Sequence, residues 1–187
     1  HRANLTGANL KGAILNGANL NRSSLSSADL RGAFIVNAML FQADAQRVDI
    51  RNTDLSRSMM GRANFSFARF DQSKLDHADL GEARLTDANF YGASLKSTQF
   101  PQATMWRTNL EKAFAVQGNF AEARLRSANL SQADFRSTDF ASADLSDCNM
   151  ASADFSGATF LSADLTRAHM EGAKFSGAIM PDNRRSP

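Results

Sequence analysis

The chain has 187 residues, of which 43% are hydrophobic, so it is long enough for one domain with a sizeable core. Its 21 basic and 19 acidic residues leave a net charge of +2, which is typical neither of a polycation that binds nucleic acid nor of a strong polyanion. The single cysteine, Cys148, excludes an internal disulfide framework and fits a reducing compartment. No apolar run approaches the roughly 18 residues of a membrane-spanning helix. We therefore expect a cytoplasmic protein, with secretion into a host or another cell as the alternative.

A repeat of five residues dominates the sequence. Written in fives it begins HRANL TGANL KGAIL NGANL, and the register holds without an insertion through SGAIM at 176–180, which makes thirty-six pentapeptides. The fifth position is always Leu, Phe, Met, Ile or Ala, and the third is always small. A period of five fits neither an α-helix, which has 3.6 residues per turn, nor a flat strand, whose side chains alternate between two faces. The chain must therefore turn once per repeat.

If each pentapeptide forms one side of a square coil, the fifth residue points inward with the small third residue beside it. Four repeats then complete a coil of twenty residues, and successive coils stack through β-type hydrogen bonds at about 4.8 Å. Most glycines fall two places after the large residue, where a type II turn needs a positive φ. This placement predicts turns at Gly7, Gly12, Gly17, Gly32, Gly92, Gly157, Gly172 and Gly177.

Several stretches carry the signature A-[DN]-[LF]-x-x and resemble the pentapeptide-repeat family: ANLTGANLKGAILNGANL, AEARLRSANLSQADF and ASADLSDCNMASADF. The resemblance implies an all-β fold, a right-handed quadrilateral β-helix (a pentapeptide-repeat solenoid) of about nine coils. It covers residues 1–180 without interruption and leaves 181–187 as a C-terminal tail. The number of sides and the handedness come from the resemblance, whereas the set of inward residues follows from the register.

Residues twenty positions apart should stack, which predicts ladders along the coil. Phenylalanines form one inward ladder at positions 100, 120, 140 and 160, and asparagines form an outward one at 89, 109, 129 and 149. We expect the asparagines to hydrogen-bond amide to amide. Cys148 takes a small inward position, and we interpret it as a structural thiol, with redox chemistry as the minor alternative.

The pattern does not indicate an enzyme, since catalysis needs convergent groups in a concave site and a convex rod separates its polar residues. His77 and His169 lie about five coils apart, and the sequence has no CxxC, GxGxxG, P-loop or GxSxG motif. Asp134 and Asp154 stack as a carboxylate dyad would, but outward aspartates recur along the chain, so we interpret them as solvated surface. We predict no cofactor and no metal.

Trp106 is the first departure from a polar exterior. It follows the inward Met105 and so should point outward, in a column that is otherwise polar. Tryptophan and arginine are enriched at binding hot spots. This predicts a partner-binding site formed by Trp106, Arg107, Arg126, Arg124, Arg84 and Phe67. The alternative is that these groups make contacts within the chain. In that case Arg126 stacks on Trp106, Arg107 pairs with Asp87, and Arg124 pairs with Asp144.

An apolar patch is the second departure. The register turns five apolar side chains outward around one corner of the second and third coils: Phe34, Val36, Met39, Phe41 and Met59. We expect their combined exposed area to exceed the few hundred Å² of apolar patch that a monomer normally tolerates, which suggests a docking surface. The alternative is cover by a flanking segment of a longer protein.

These features favour a non-catalytic interaction scaffold, a module of a larger bacterial protein of the effector or secretion-accessory type, with a protein partner. The resemblance also implies an alternative, because the quinolone-resistance members of the family mimic DNA and bind type II topoisomerase through a strongly acidic surface. No side of this rod is strongly acidic, and direct nucleic-acid binding is not favoured. The sequence shows no capping helix, so we expect either a longer chain or end-to-end self-association through uncapped coils.

Overall fold

The structure is a computed structural model that describes residues 2–186. It is built from four columns of single parallel β-bridges, each joining a residue to the one twenty positions later. The columns are β1 from Asn4 to Asp164, β2 from Asn9 to His169, β3 from Ile14 to Lys174 and β4 from Asn19 to Ile179. Each pentapeptide supplies one bridge residue, so four of them complete a coil. The coils stack into a right-handed quadrilateral β-helix, as predicted.

A turn separates each side of the coil from the next. The N–H of Ala8 donates to the C=O of Leu5 at 3.0 Å, and equivalent bonds recur along the chain. The second residue of every pentapeptide from Arg2 to Gly177 has a φ between 53° and 70°. The eight glycine turns are thereby confirmed, but most of these positions carry side chains, which was not predicted. The N–H of most of these residues donates to the next coil, as Gly7 does to the C=O of Ser26 at 2.9 Å. This hydrogen bond holds them in a left-handed conformation that they disfavour when free.

The core is a single column of inward side chains from the third and fifth positions. Phenylalanine rings stack from coil to coil, with centroids 4.7 Å apart for Phe100 and Phe120 and 5.3 Å apart for Phe140 and Phe160. A second stack at Phe135 and Phe155 meets the first edge to face. The rings stack because the same inward position recurs every twenty residues, and each ring is buried between its neighbours. The predicted phenylalanine ladder is therefore confirmed.

Polar groups at the inward third position donate to main-chain carbonyls, in most cases those of the preceding coil. The hydroxyl of Thr98 donates to the C=O of Leu75 at 2.7 Å, and the Cys148 thiol donates to the C=O of Leu125 at 3.0 Å. Burial raises the pKa of Cys148 to about 12, which keeps the thiol protonated and a poor nucleophile. The geometry therefore supports the structural interpretation of this cysteine.

The two terminal coils bury their inward side chains less completely than the central ones. Leu5 and Phe175 are half-buried. The tail folds back on the last coil, where Arg185 bridges antiparallel to Ile179 and the N–H of Ser186 donates to the C=O of Ala178 at 2.8 Å. This cover was not predicted from the sequence. It protects the β4 side of the last coil.

Candidate partner-binding surface

Trp106 lies in the turn between Thr104 of β1 and Asn109 of β2. The preceding Met105 is fully buried, whereas 43% of the Trp106 surface is exposed. Its carbonyl accepts the N–H of Asp87 at 2.9 Å, so the coil below holds its backbone in place. The indole is therefore presented outward from a fixed position, in the orientation that the register predicts.

Arg84 and Arg124 flank Thr104 in β1, one coil before it and one coil after it. They line a cavity of about 310 Å³ with Trp106, and both are exposed. Neither guanidinium has an ion pair or a hydrogen bond with another residue between 2 and 186. Two coil spacings separate them, or about 9.6 Å. The cavity therefore presents two free positive charges beside an indole.

A second cavity of about 350 Å³ lies on the other side of the indole and includes Arg107 and Arg126. Arg107 forms the predicted pair with Asp87, through Nε–Oδ1 and Nη2–Oδ2 distances of 2.7 and 2.6 Å. This bidentate contact lowers the pKa of Asp87. The guanidinium of Arg107 is therefore already engaged within the chain.

Two of the expected intramolecular contacts are wrong. Arg126 does not stack on Trp106 in the described structure, because it turns toward Asp147, with Nε 3.3 Å from Oδ2. Arg124 does not pair with Asp144, whose Oδ1 instead accepts the N–H and the hydroxyl of Ser146 at 3.0 and 2.5 Å. A partner two residues away competes better for this carboxylate than a long side chain on the neighbouring coil. The indole and Arg124 are consequently left uncovered.

Phe67 is exposed but lies apart from the cavities at Trp106. The guanidinium of Arg47 lies over its ring, 5.5 Å from the centroid. Neither cavity that contains Trp106 includes Phe67. The structure thus brings together the other members of the predicted site and leaves this one out.

The predicted apolar patch points outward but divides into two parts. Phe34, Phe41 and Met59 are exposed, whereas Val36 and Met39 are half-buried. Phe41 and Met59 line one cavity, and Phe34 lines another of about 190 Å³.

Ile14 was not predicted to belong to this patch, but it lies below Phe34 in β3 and is 77% exposed. Its exposure could have been predicted, because Ile14 is the fourth residue of its pentapeptide and that position always points outward. Ile14 extends the Phe34 part of the patch into the first coil.

A slot between Phe41 and Pro101 was also missed. Gly61 and Gly81 occupy the two intervening positions of the same column, in a cavity of about 560 Å³. Gly61 is buried because the Phe41 ring lies against it, so the slot is open mainly over Gly81. A Cβ on Gly61 would lie 3.5 Å from the Phe41 ring, and one on Gly81 would lie 3.4 Å from Cγ of Pro101. Neither glycine has the positive φ that explains the turn glycines. Their place in the sequence could have predicted the slot, because glycine at the first position of a pentapeptide leaves a gap in a column of outward side chains.

The outward carboxylates do not form a catalytic pair. Asp134 makes a bidentate contact with Arg136, through distances of 2.8 and 2.6 Å, and this contact lowers its pKa. A working dyad would raise the pKa of one member. Between residues 2 and 186, no group of three His, Cys, Asp or Glu side chains is close enough to hold a metal ion.

The asparagine ladder is present as predicted. Asn109 donates from Nδ2 to Oδ1 of Asn89 at 2.9 Å, and the pattern continues through Asn129 and Asn149 at 3.3 and 3.2 Å. These amides satisfy one another along β2. Their role is therefore structural.

The coil geometry and the outward sites define a solenoid protein assembled from stacked repeats. The sequence model of the family described as pentapeptide repeats matches residues 3–40, 25–57, 38–76, 63–100, 107–141 and 143–180. The chain belongs to the pentapeptide-repeat family. No helix in the described part of the chain is long and apolar enough to cross a membrane.

Solved structures of the same family resemble this one. HetL, a pentapeptide repeat protein involved in heterocyst differentiation regulation from the cyanobacterium Nostoc sp. strain PCC 7120, is 26% identical with a TM-score of 0.74, over 99% of this chain and 92% of HetL. Rfr23 from the cyanobacterium Cyanothece 51142 is 28% identical with a TM-score of 0.29, over 51% of this chain and 58% of Rfr23. QnrB1, a plasmid-mediated fluoroquinolone resistance protein, is 16% identical with a TM-score of 0.48, over 93% of this chain and 84% of that structure. No curated protein matches the sequence significantly.

Proposed function

We propose that this chain is a non-catalytic interaction rod, a module of a larger bacterial protein of the effector or secretion-accessory type. The observation that carries the proposal is the exposed indole of Trp106 between two arginine-lined cavities. Tryptophan and arginine are the side chains that most often dominate the energy of a protein interface. A rigid coil that already holds them in place loses little conformational freedom on binding. The involvement of the similar protein HetL in regulating differentiation agrees with action through binding.

Affinity capture tests this proposal. Tagged wild-type protein and a Trp106→Ala variant are incubated with a lysate of the source organism, and the retained proteins are quantified by mass spectrometry. We expect Trp106→Ala to lower the retention of specific proteins about tenfold, the effect of roughly 1.4 kcal/mol of lost binding energy. The melting temperature should remain nearly unchanged, because the indole packs outside the core.

Phe114→Ala is the matched control, since Phe114 is also an exposed aromatic residue but lies on another side of the rod. Proteins that depend on Trp106 should be retained by this variant. Equal retention by wild type and Trp106→Ala would contradict a binding role for the indole. A large fall in the melting temperature of Trp106→Ala would contradict its peripheral position.

DNA mimicry is a separate function that a supercoiling assay distinguishes. A mimic of DNA must present a strongly acidic surface, whereas this chain has a net charge of +2 and exposes Arg84 and Arg124 together. We expect the purified protein neither to inhibit DNA gyrase nor to protect it from a quinolone. Inhibition or protection would replace the scaffold proposal with the topoisomerase-binding one.

We also propose that the chain as it stands associates end to end. In the last coil the N–H groups of Leu165, Met170 and Phe175 have no acceptor among residues 2–186. Open β-edges of this kind pair readily with other chains. The sedimentation coefficient should therefore rise with protein concentration, and a constant value would contradict the association.

A further inference from the structure

The two predicted sites are joined by a continuous series of shallow cavities. The Phe41 cavity shares Glu82 and Gln102 with a neighbour of about 370 Å³. That neighbour shares Arg124 with the Arg84 cavity, which in turn shares Trp106 with the last cavity. We call this series the belt. It runs from Phe41 through the turn after β4 and across β1 to Trp106.

The chemistry of the belt changes along its length. One end is the slot over Gly61 and Gly81, which has Phe41 on one side and Pro101 on the other. The other end has the free guanidiniums of β1 and then the indole. The belt is therefore apolar at one end and cationic and aromatic at the other.

The carboxylates in the middle of the belt are already occupied. Arg62 donates to Glu82 through Nε and Nη2 at 3.0 and 2.9 Å. Gln102 donates from Nε2 to Glu122 at 3.0 Å. Arg62 compensates the charge of Glu82, whereas the neutral Gln102 leaves Glu122 charged. Neither carboxylate forms an ion pair with Arg84 or Arg124, so both guanidiniums stay available to a partner.

We propose that the belt binds one extended segment of a partner polypeptide. The segment inserts an aromatic or large aliphatic side chain into the slot over Gly61 and Gly81 and places acidic side chains against Arg84 and Arg124. This inference rests on the proposed interaction function and names the chemistry of the partner. Phe41 lies three coil spacings, about 14 Å, from Pro101, and Pro101 and Trp106 are separated by one side of the coil, at most about 17 Å of chain. An extended segment of about 12 residues therefore spans the belt.

The lining of the belt favours a polypeptide over a nucleic acid. A continuous phosphate backbone would have to pass Asp79 and Glu122, which are carboxylates without a basic partner among residues 2–186. A polypeptide can place its negative charges only where the arginines are and can present an apolar side chain at the slot. The alternation of apolar and cationic sites thus matches separate side chains on one strand.

Selection from a phage library of random peptides tests the inference. The peptides have about 12 residues, enough to cross the belt when extended, and the bait is the whole chain. We expect the selected peptides to share an aromatic or large aliphatic residue with acidic residues a few positions away. The binding of one such synthetic peptide, labelled with fluorescein, is then measured by fluorescence anisotropy.

Two variants examine the two ends of the belt. Gly81→Leu fills the open part of the slot, and Arg84→Glu combined with Arg124→Glu reverses the charge. Each change should weaken the binding of the peptide about tenfold or more. Ala141→Leu is the control for the slot, because it adds the same side chain in the same column beyond the belt. Arg57→Glu is the control for charge, since Arg57 is exposed on another side of the rod. Both controls should bind as wild type does.

Several results would overturn the belt as a binding site. The first is that no binding peptide is selected, and the second is that the selected peptides lack acidic residues. The third is that a belt variant with the melting temperature of wild type binds the peptide with unchanged affinity. If capture of the proteins is weakened by Trp106→Ala but not by Gly81→Leu or the charge reversal, the belt is wrong and the proposed function stands. If capture does not depend on Trp106 either, the proposed function fails as well.

Discussion

Phe114 and Phe120 are the same amino acid six residues apart, yet they contribute to different properties of the molecule. Phe114 occupies the outward fourth position and is 58% exposed, whereas Phe120 occupies the fifth position and is fully buried. Met105 and Trp106 show the same contrast between adjacent residues. At the scale of the residue, the place in the pentapeptide decides whether a large side chain stabilises the core or remains available to a partner.

The two phenylalanines provide a direct test of this rule. Phe120 stacks between Phe100 and Phe140, with centroid distances of 4.7 and 5.2 Å. We expect Phe120→Ala to lower the free energy of unfolding by about 3–5 kcal/mol, because it leaves a cavity in the stack. Phe114→Ala should change it by about 0.5 kcal/mol or less. Urea unfolding of both variants checks this, and similar losses would contradict the register.

The left-handed turn residue allows a second test with a matched pair of serines. Ser152 has a φ of 58°, whereas Ser156, in the next turn, is not among the residues with positive φ. Glycine adopts positive φ without strain but destabilises ordinary backbone by about 0.5–1 kcal/mol. Ser152→Gly should therefore keep or raise the unfolding midpoint, and Ser156→Gly should lower it. The reverse order would show that strain at the turn is unimportant.

At the scale of the element, the side chain at the fourth position completes the turn that follows it. Oδ1 of Asp29 accepts the N–H of Arg31 at 3.1 Å, and Oδ1 of Asp154 accepts the N–H of Ser156 at 2.9 Å. Asparagine makes the same contact, as between Asn4 and the N–H of Thr6 at 3.1 Å. This hydrogen bond explains why Asp or Asn so often precedes the central residue.

Asp29 adds a charge to this contact, and its contribution should depend on pH. Bidentate contact with the Arg31 guanidinium lowers the pKa of Asp29 from 3.8 to about 2. Because the folded pKa lies below the unfolded value, the contribution is complete above about pH 5 and is lost as the pH falls toward 2. Asp29→Asn keeps the backbone contact and removes the charge. It should be less stable than wild type at neutral pH, and the difference should disappear only as the pH falls below about 2.

Urea unfolding of Asp29→Asn and wild type at several pH values checks this expectation. The difference between the two unfolding midpoints should shrink steadily through the acid range. A difference that stayed constant with pH would assign the contribution to packing rather than to the ion pair.

At the scale of the whole molecule, each coil contacts only its neighbours, so protection should follow distance from the ends. The N–H of Phe100 donates to Asn119 in the next coil at 2.7 Å, and both residues lie deep within the stack. In the last coil, the N–H of Met180 donates to the tail at Arg184, also at 2.7 Å. The N–H of Leu165 in the same coil has no acceptor among residues 2–186.

Amide hydrogen exchange should rank these three sites. We expect the Phe100 amide to exchange most slowly, Met180 at an intermediate rate because the tail covers it, and Leu165 fastest. Comparable exchange of Met180 and Leu165 would show that the tail does not stay on the last coil. Uniform protection from end to end would contradict nearest-neighbour stability.

The five-residue period determined the backbone and the side of it on which each residue lies. Inward burial, the phenylalanine stack and the glycine turns could all be predicted, because they depend on a local pattern that repeats without interruption. The exposed position of Trp106 and the pairing of Arg107 with Asp87 followed from the same register.

Only the tertiary structure decided how the outward side chains share their partners. Arg126 turns to Asp147 and Arg124 stays free because several acceptors lie within reach between coils about 4.8 Å apart, and local contacts take some of them first. The slot over Gly61 and Gly81 depends on what is missing between Phe41 and Pro101, which becomes visible only when the column is assembled. The repeat therefore determines the rod, and competition among neighbouring side chains determines which part of its surface is left for a partner.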